Sequence, residues 1–192
     1  HYNIEFPIEN EQYLSNKLIV FFMPADRMIS TQAKLRMFSN SPWESLSSSI
    51  AKNTYILRIA DSNLISGSYY QNTINFPNYE TSIQELIKNT AHKYNISSSS
   101  IVTYGNSRGG TGALYHGLLG NYKVVAIDPV IDRRAWVEVK DVQHMFDLVD
   151  YNFAPKINRL LEETTLSPDK IKVLCSDTAF MMLSLNLRVT IV

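Results

Sequence analysis

Gly105, Ser107 and Gly109 stand at alternate positions in the run Tyr104-Gly105-Asn106-Ser107-Arg108-Gly109-Gly110-Thr111-Gly112-Ala113-Leu114. A serine between glycines two before and two after it can do nucleophilic chemistry if a β-strand precedes it and a helix follows. On such a turn the hydroxyl is presented at a sharp tip, and only small neighbours fit around the strained backbone. Ile101-Val102-Thr103 is a β-branched run of strand type, and Ala113, Leu114, Gly117 and Leu118 share one face of a helix beyond the turn. Ser107 is therefore the expected nucleophile of a nucleophile elbow, with Gly105, Gly109 and Gly110 as its structural glycines. Gly110 and Gly112 also let the helix lie close to the sheet. The backbone N–H of Arg108, at the helix N-terminus, is expected to face a developing oxyanion. A glycine-rich strand-to-helix turn also suits phosphate, so a phosphate or nucleotide site is the competing reading of the same residues.

The elements needed to hold such a turn are legible around it. Lys17–Met23 and Thr54–Ala60 are continuous apolar runs, the pattern of strands covered on both faces in a parallel sheet. Tyr122–Ile127 and Ile171–Cys175 read the same way, and Leu187–Val192 looks like the start of another strand. Tyr79–Tyr94 is an amphipathic helix, with Ile83, Leu86, Ile87, Thr90 and Ala91 at spacings of three and four and Thr81 as a cap. The segment His1–Tyr13 alternates Ile4, Phe6 and Ile8 as an edge strand, and Trp43–Ala51 suits a short helix. Asp61–Asn72 is a long loop rich in hydroxyl, amide and aromatic groups at the C-terminal end of a strand, where such sheets bind ligands. As a plain surface loop it reads equally well. Residues 130–168 are mostly helical, an insertion after the strand ending at Asp128 that could form a cap. The alternation predicts an α/β fold: one mostly parallel sheet with helices on both faces, in a single domain spanning 1–192.

Composition narrows the partners. Apolar residues make up 45% of the 192 and charged residues 19%, as in a globular chain. Lys plus Arg and Asp plus Glu both number 18, a balance that argues against nucleic acid as a partner. Eleven tyrosines favour a small-molecule or glycan substrate. The lone Cys175 rules out an internal disulfide and reads as a buried core residue. The histidines are scattered, so neither a metal site nor a bound cofactor is expected. No apolar stretch approaches the ~20 residues that cross a bilayer, and no signal peptide stands out, so the expected location is cytoplasmic.

With these residues in place, Gly105–Leu118 resembles the α/β-hydrolase superfamily, as does the order of strands along the chain. More narrowly, Tyr104–Leu114 resembles the turn of bacterial capsular-polysaccharide biosynthesis proteins with a hydrolase-like core, among them capsule O-acetyltransferases with a serine triad. Asp61–Thr73 is also similar to that group. The resemblance implies an acid after the next-to-last core strand and a histidine after the last. Asp177, following Ile171–Cys175, is the implied acid that orients the imidazole, and Asp128 is the runner-up. A second oxyanion donor is implied after the first long strand. Pro24 has no N–H, so Ala25 or Asp26 supplies it, and Ala25 is chosen. The histidine is expected beyond Val192, where the last strand would continue. His116 lies nine residues along the helix from Ser107, about 13 Å away at 1.5 Å per residue, too far for a hydrogen bond. His144, in the cap segment, is a remote alternative. The implied function is serine-dependent acyl transfer on a polysaccharide or other hydroxylated substrate, with acetyl-CoA as a conceivable co-substrate. The rival is a non-catalytic hydrolase-like module in glycan assembly or export.

Overall fold

The computed structural model describes residues 1–25, 46–64, 67–132, 152–176 and 190–191. Seven strands make one sheet: β1 (Tyr2–Glu5), β2 (Lys17–Phe22), β3 (Thr54–Ile59), β4 (Ile101–Asn106), β5 (Lys123–Ile127), β6 (Ile171–Leu174) and β7 (Thr190–Ile191). Their spatial order is β1-β3-β2-β4-β5-β6-β7. Only β1 runs antiparallel, pairing Tyr2 with Ile59 and Ile4 with Leu57 at one edge. All other pairings are parallel. The apolar runs of the sequence therefore become the inner strands, and the alternating N-terminal segment becomes an edge, where one side meets solvent.

Among the described residues three helices cross over between strands: α1 (Tyr79–Lys93), α2 (Arg108–Leu119) and α3 (Ala154–Glu163). Ile83, Ile87 and Ala91 of α1 pack on Leu18, Val20, Phe22, Leu57 and Ile59. Leu114 and Leu118 of α2 join Ile157 and Leu160 of α3 over Val124, Ala126, Ile171 and Val173. These contacts share one sheet face, because register aligns Val20 with Thr103, Thr103 with Val124, and Val124 with Ile171. On the opposite face Phe21, Met23 and Ile56 pack with Leu46, Ile50 and Tyr104.

Local starts differ in detail from the sequence reading. Helix α1 starts at Tyr79 as the spacing predicts, but Thr81 lies inside it and Asn78, at its N-cap, makes no side-chain cap bond; the first-turn N–H of Glu80 is met instead by Asn72 Oδ1 at 2.8 Å. Within Trp43–Ala51 the described part holds a single 3-10 turn, Leu46–Ser48. Cys175 is half-buried at the margin of the α2–α3 core. Of the expected helical insertion, α3 and the bridge between Asp132 and Asn152 are described; residues 133–151 lie outside the described residues.

Because the inner strands are parallel, the segments that leave them emerge at one edge of the sheet. Pro24 leaves β2, Asp61 leaves β3, Ser107 leaves β4, Asp128 leaves β5 and Ser176 leaves β6. Ligands of such sheets bind along this edge.

Candidate active site

Ser107 forms the turn between β4 and α2. Its N–H donates to the Ile127 carbonyl at 2.9 Å, extending the β4–β5 ladder by one residue, and its carbonyl accepts the Thr111 N–H at 3.1 Å to open the helix. One residue thus belongs to both elements, and its backbone pays for the reversal with φ 53° and ψ −124°. That quadrant mirrors the first central position of a type II turn and favours glycine; a residue with a Cβ holds it at a cost of roughly 1–3 kcal/mol. Serine at the start of a helix ordinarily caps it. Ser107 makes no such bond, so its hydroxyl is not committed to the helix.

The flanking glycines are needed for close approach. A Cβ on Gly105 would run into the Gly109 carbonyl, and one on Gly109 into the Phe22 carbonyl of β2. On Gly110 it would lie 2.6 Å from the Ile127 carbonyl oxygen. The first turn of α2 is pressed against the ends of β2 and β5, which holds Ser107 at the edge of the sheet.

The side chain of Arg108 folds back into the protein, a feature the sequence reading missed because it considered only this residue's N–H. Arg108 is buried; its Nη2 donates to the Pro24 carbonyl at 3.0 Å, and its Nε lies 3.7 Å from Oδ2 of the buried Asp61. Burial pushes the Asp61 carboxyl up, against the opposing pull of Arg108 and the amides of Ser68, Tyr70 and Tyr69. Tyr70 adds a second strut. Its hydroxyl proton is shared between the carbonyls of Met23 (2.7 Å) and Ile59 (3.0 Å), while its N–H meets Asp61 Oδ2 at 3.3 Å.

In its described part the loop from Asp61 to Thr73 is consequently not a plain surface loop. Asp61, Asn63, Ser68, Tyr70, Gln71 and Thr73 are buried. Asn63 Nδ2 donates to the Gln71 carbonyl at 3.3 Å and Ser68 Oγ to the same carbonyl at 2.8 Å. In its described part the loop is an internal plug that braces the ends of β2 and β3. The left-handed backbone at Leu64, Tyr69 and Tyr70 is what folds it so tightly.

His116 of α2 is fully buried against that plug. Its Nε2 faces the Tyr70 carbonyl at 2.9 Å, an acceptor only, so Nε2 carries the proton and donates. Nδ1 then accepts from Gln84 Nε2 at 3.1 Å. The ring stacks on Phe22, with centroids 5.3 Å apart. Burial lowers its pKa to about 4. Both ring nitrogens are engaged, so His116 is a neutral structural histidine. Beside it, Glu80 accepts from Lys156 Nζ at 2.7 Å and from the Tyr115 hydroxyl at 2.7 Å, which ties α1 to α2 and α3.

Of the expected site residues, the structure brings Ser107, Arg108, Gly105, Gly109 and Gly110 into one turn and joins Pro24-Ala25 to it through the Arg108 side chain; Ala25 itself is exposed. Asp177 and His144 lie outside the described residues. The chain reaches Asp177 through Ser176, whose N–H donates to Asp128 Oδ1 at 2.6 Å. Asp128, with φ 42°, is thus occupied in bracing the turn after β6. Among the described residues no group of His, Cys, Asp and Glu gathers to hold a metal ion, and no helix is long and apolar enough to cross a membrane.

No protein-family model matches the chain, and no curated protein does. Solved structures do, and they define its class: the chain has an α/β-hydrolase fold. It superposes on S-formylglutathione hydrolase from Agrobacterium tumefaciens with a TM-score of 0.59 at 12% identity, covering 91% of this chain and 68% of that enzyme. Within that class it is similar to the capsule O-acetyltransferase of Neisseria meningitidis serogroup A, with a TM-score of 0.57 at 17% identity over all of this chain and 82% of that protein. A mutant of that acetyltransferase has been solved in complex with CoA. It is also similar to a chain of the glycosylation-associated Gap123 complex from Streptococcus agalactiae, with a TM-score of 0.59 at 19% identity over 91% of this chain and 34% of that one. The chain thus spans about a third of the length of that Gap123 component. Identities this low establish the fold.

Proposed function

We propose that the chain is a serine-dependent acyl-transfer enzyme, an esterase or O-acetyltransferase acting on a polysaccharide or other hydroxylated substrate in bacterial capsule biosynthesis. The observation that carries this reading is the strained, uncapped Ser107 at the tip of the turn between β4 and α2. Ser107 Oγ attacks the acyl carbonyl while its proton passes to a histidine that Asp177 orients. The N–H groups of Arg108 and Ala25 receive the oxyanion, each worth about 3 kcal/mol in the transition state. Collapse expels the leaving group, which takes the proton back from the histidine. Water or a sugar hydroxyl then attacks the acyl-serine and gives its proton to the same histidine; collapse breaks the bond to Ser107 Oγ, which takes that proton back as the product leaves. The likeness to an O-acetyltransferase solved with CoA supports acetyl-CoA as the donor.

The likeness to a Gap123 component favours a second reading, a non-catalytic module of a glycosylation-associated assembly. Fluorophosphonate labelling separates the two. Under the enzymatic reading the intact protein is labelled on Ser107 and Ser107→Ala abolishes it; an intact protein that takes no label is the accessory module.

A further inference from the structure

The side chain of Arg108 joins the two halves of the proposed oxyanion site, and this inference rests on that proposal. The carbonyl of Pro24 and the N–H of Ala25 belong to one planar peptide unit and point in opposite directions. Arg108 Nη2 holds the carbonyl at 3.0 Å. Whatever fixes that carbonyl also fixes the direction of the Ala25 N–H. The guanidinium is in turn set by Asp61 Oδ2, 3.7 Å from Nε. Gly67, at φ 90°, closes over both: a Cβ there would lie 2.5 Å from Arg108 Nη1 and 2.5 Å from Asp61 Oδ2. Behind Pro24, the Tyr70 hydroxyl fixes the Met23 carbonyl at 2.7 Å, so the chain entering that peptide unit is also held.

We propose that Arg108 is a positioning residue as well as an oxyanion donor: its backbone N–H faces the oxyanion, and its side chain, clamped by Asp61 under Gly67, aims the Ala25 N–H at the same point. Lysine cannot replace it. A single ammonium lacks the planar fork that reaches a carbonyl and a carboxylate together. The turn chemistry of Gly-x-Ser-x-Gly leaves its second variable position free, and here that position carries the group that couples β2 to α2.

The experiment compares the rate of fluorophosphonate labelling in the wild-type chain, Arg108→Lys and Gly67→Ala, each followed to completion so that the final extent counts correctly folded sites. The phosphonyl oxygen occupies the oxyanion position, so the rate reads the alignment of the donors. Both variants are expected to reach full labelling about 10- to 100-fold more slowly, with the pH midpoint of labelling unmoved because the base is untouched. Gly67→Ala displaces the pair without altering either member, and it decides the matter if Arg108→Lys does not fold. Wild-type rates in the folded variants would overturn the positioning role and leave Ser107 as nucleophile. A wild-type chain that takes no label would overturn both.

Discussion

Buried neutral His116 makes the fold acid-sensitive by an amount that can be worked out. In the native chain its pKa is lowered from 6.5 to about 4 because burial disfavours the imidazolium. Between those values the unfolded chain binds a proton that the native chain does not, so stability falls as pH drops from 6.5, and the loss is complete below about 4. At 1.36 kcal/mol per pKa unit the whole effect is about 3 kcal/mol, of which roughly 2 kcal/mol is already lost at pH 5. Two other groups act over the same range. Asp61, raised by burial, works in the opposite direction; Glu80, lowered by Lys156 and by hydrogen bonds from Asn72 and Tyr115 that outweigh its burial, loses its contribution only below its ordinary 4.5. Both cancel when the wild type is compared with His116→Gln. Urea unfolding at pH 7 and pH 5 should show the wild type losing about 2 kcal/mol more than the variant. Equal losses in the two proteins would mean that His116 is charged in the native state, and the assignment of Nε2 as donor and Nδ1 as acceptor would be wrong.

Two further outcomes test the turn itself. Gly109→Ala drives a Cβ into the Phe22 carbonyl, a backbone atom that cannot swing aside, so a thermal melt should show destabilisation by about 2 kcal/mol or more; unchanged stability would deny the close approach of α2 to β2. Ser107→Gly and Ser107→Ala both remove the hydroxyl, but only glycine relieves φ 53°. The glycine variant should therefore be more stable in urea by about 1 kcal/mol, and equal stabilities would show that the turn stores no strain.

The sheet was legible because burial on both faces leaves a plain trace. Lys17–Phe22 and Thr54–Ile59 are runs with little polar interruption, and the structure makes them inner strands. Amphipathic spacing placed α1 to within a residue at its C-terminal end. Side-chain pairing across long separations left no such trace. Asp61 after a strand looks like a turn residue, and nothing local announces that its partner is Arg108, 47 positions later. His116 could be excluded as a base by distance along the helix, but its actual role depends on Gln84 and Tyr70, which the fold alone brings together. A signal for the pair was nonetheless present: a charge next to the most apolar strand ends needs a buried counter-charge, and Arg108 stands within the turn.

The choice between enzyme and accessory module bears on why serine occupies position 107 at all. A module that needs only the strand-to-helix reversal would be served by glycine, which adopts φ 53° and ψ −124° without a Cβ penalty. The hydroxyl gives nothing back to the helix, since it makes no capping bond. Around it the protein buries an Arg–Asp pair, folds a polar loop into its interior and brings carbonyls within contact of two glycines. Each of these helps to fix the position of that one residue. Strain retained at a site, with a rigid surround that over-determines it, is the physical signature of a group kept for chemistry, and that is the ground on which Ser107 is read as a nucleophile.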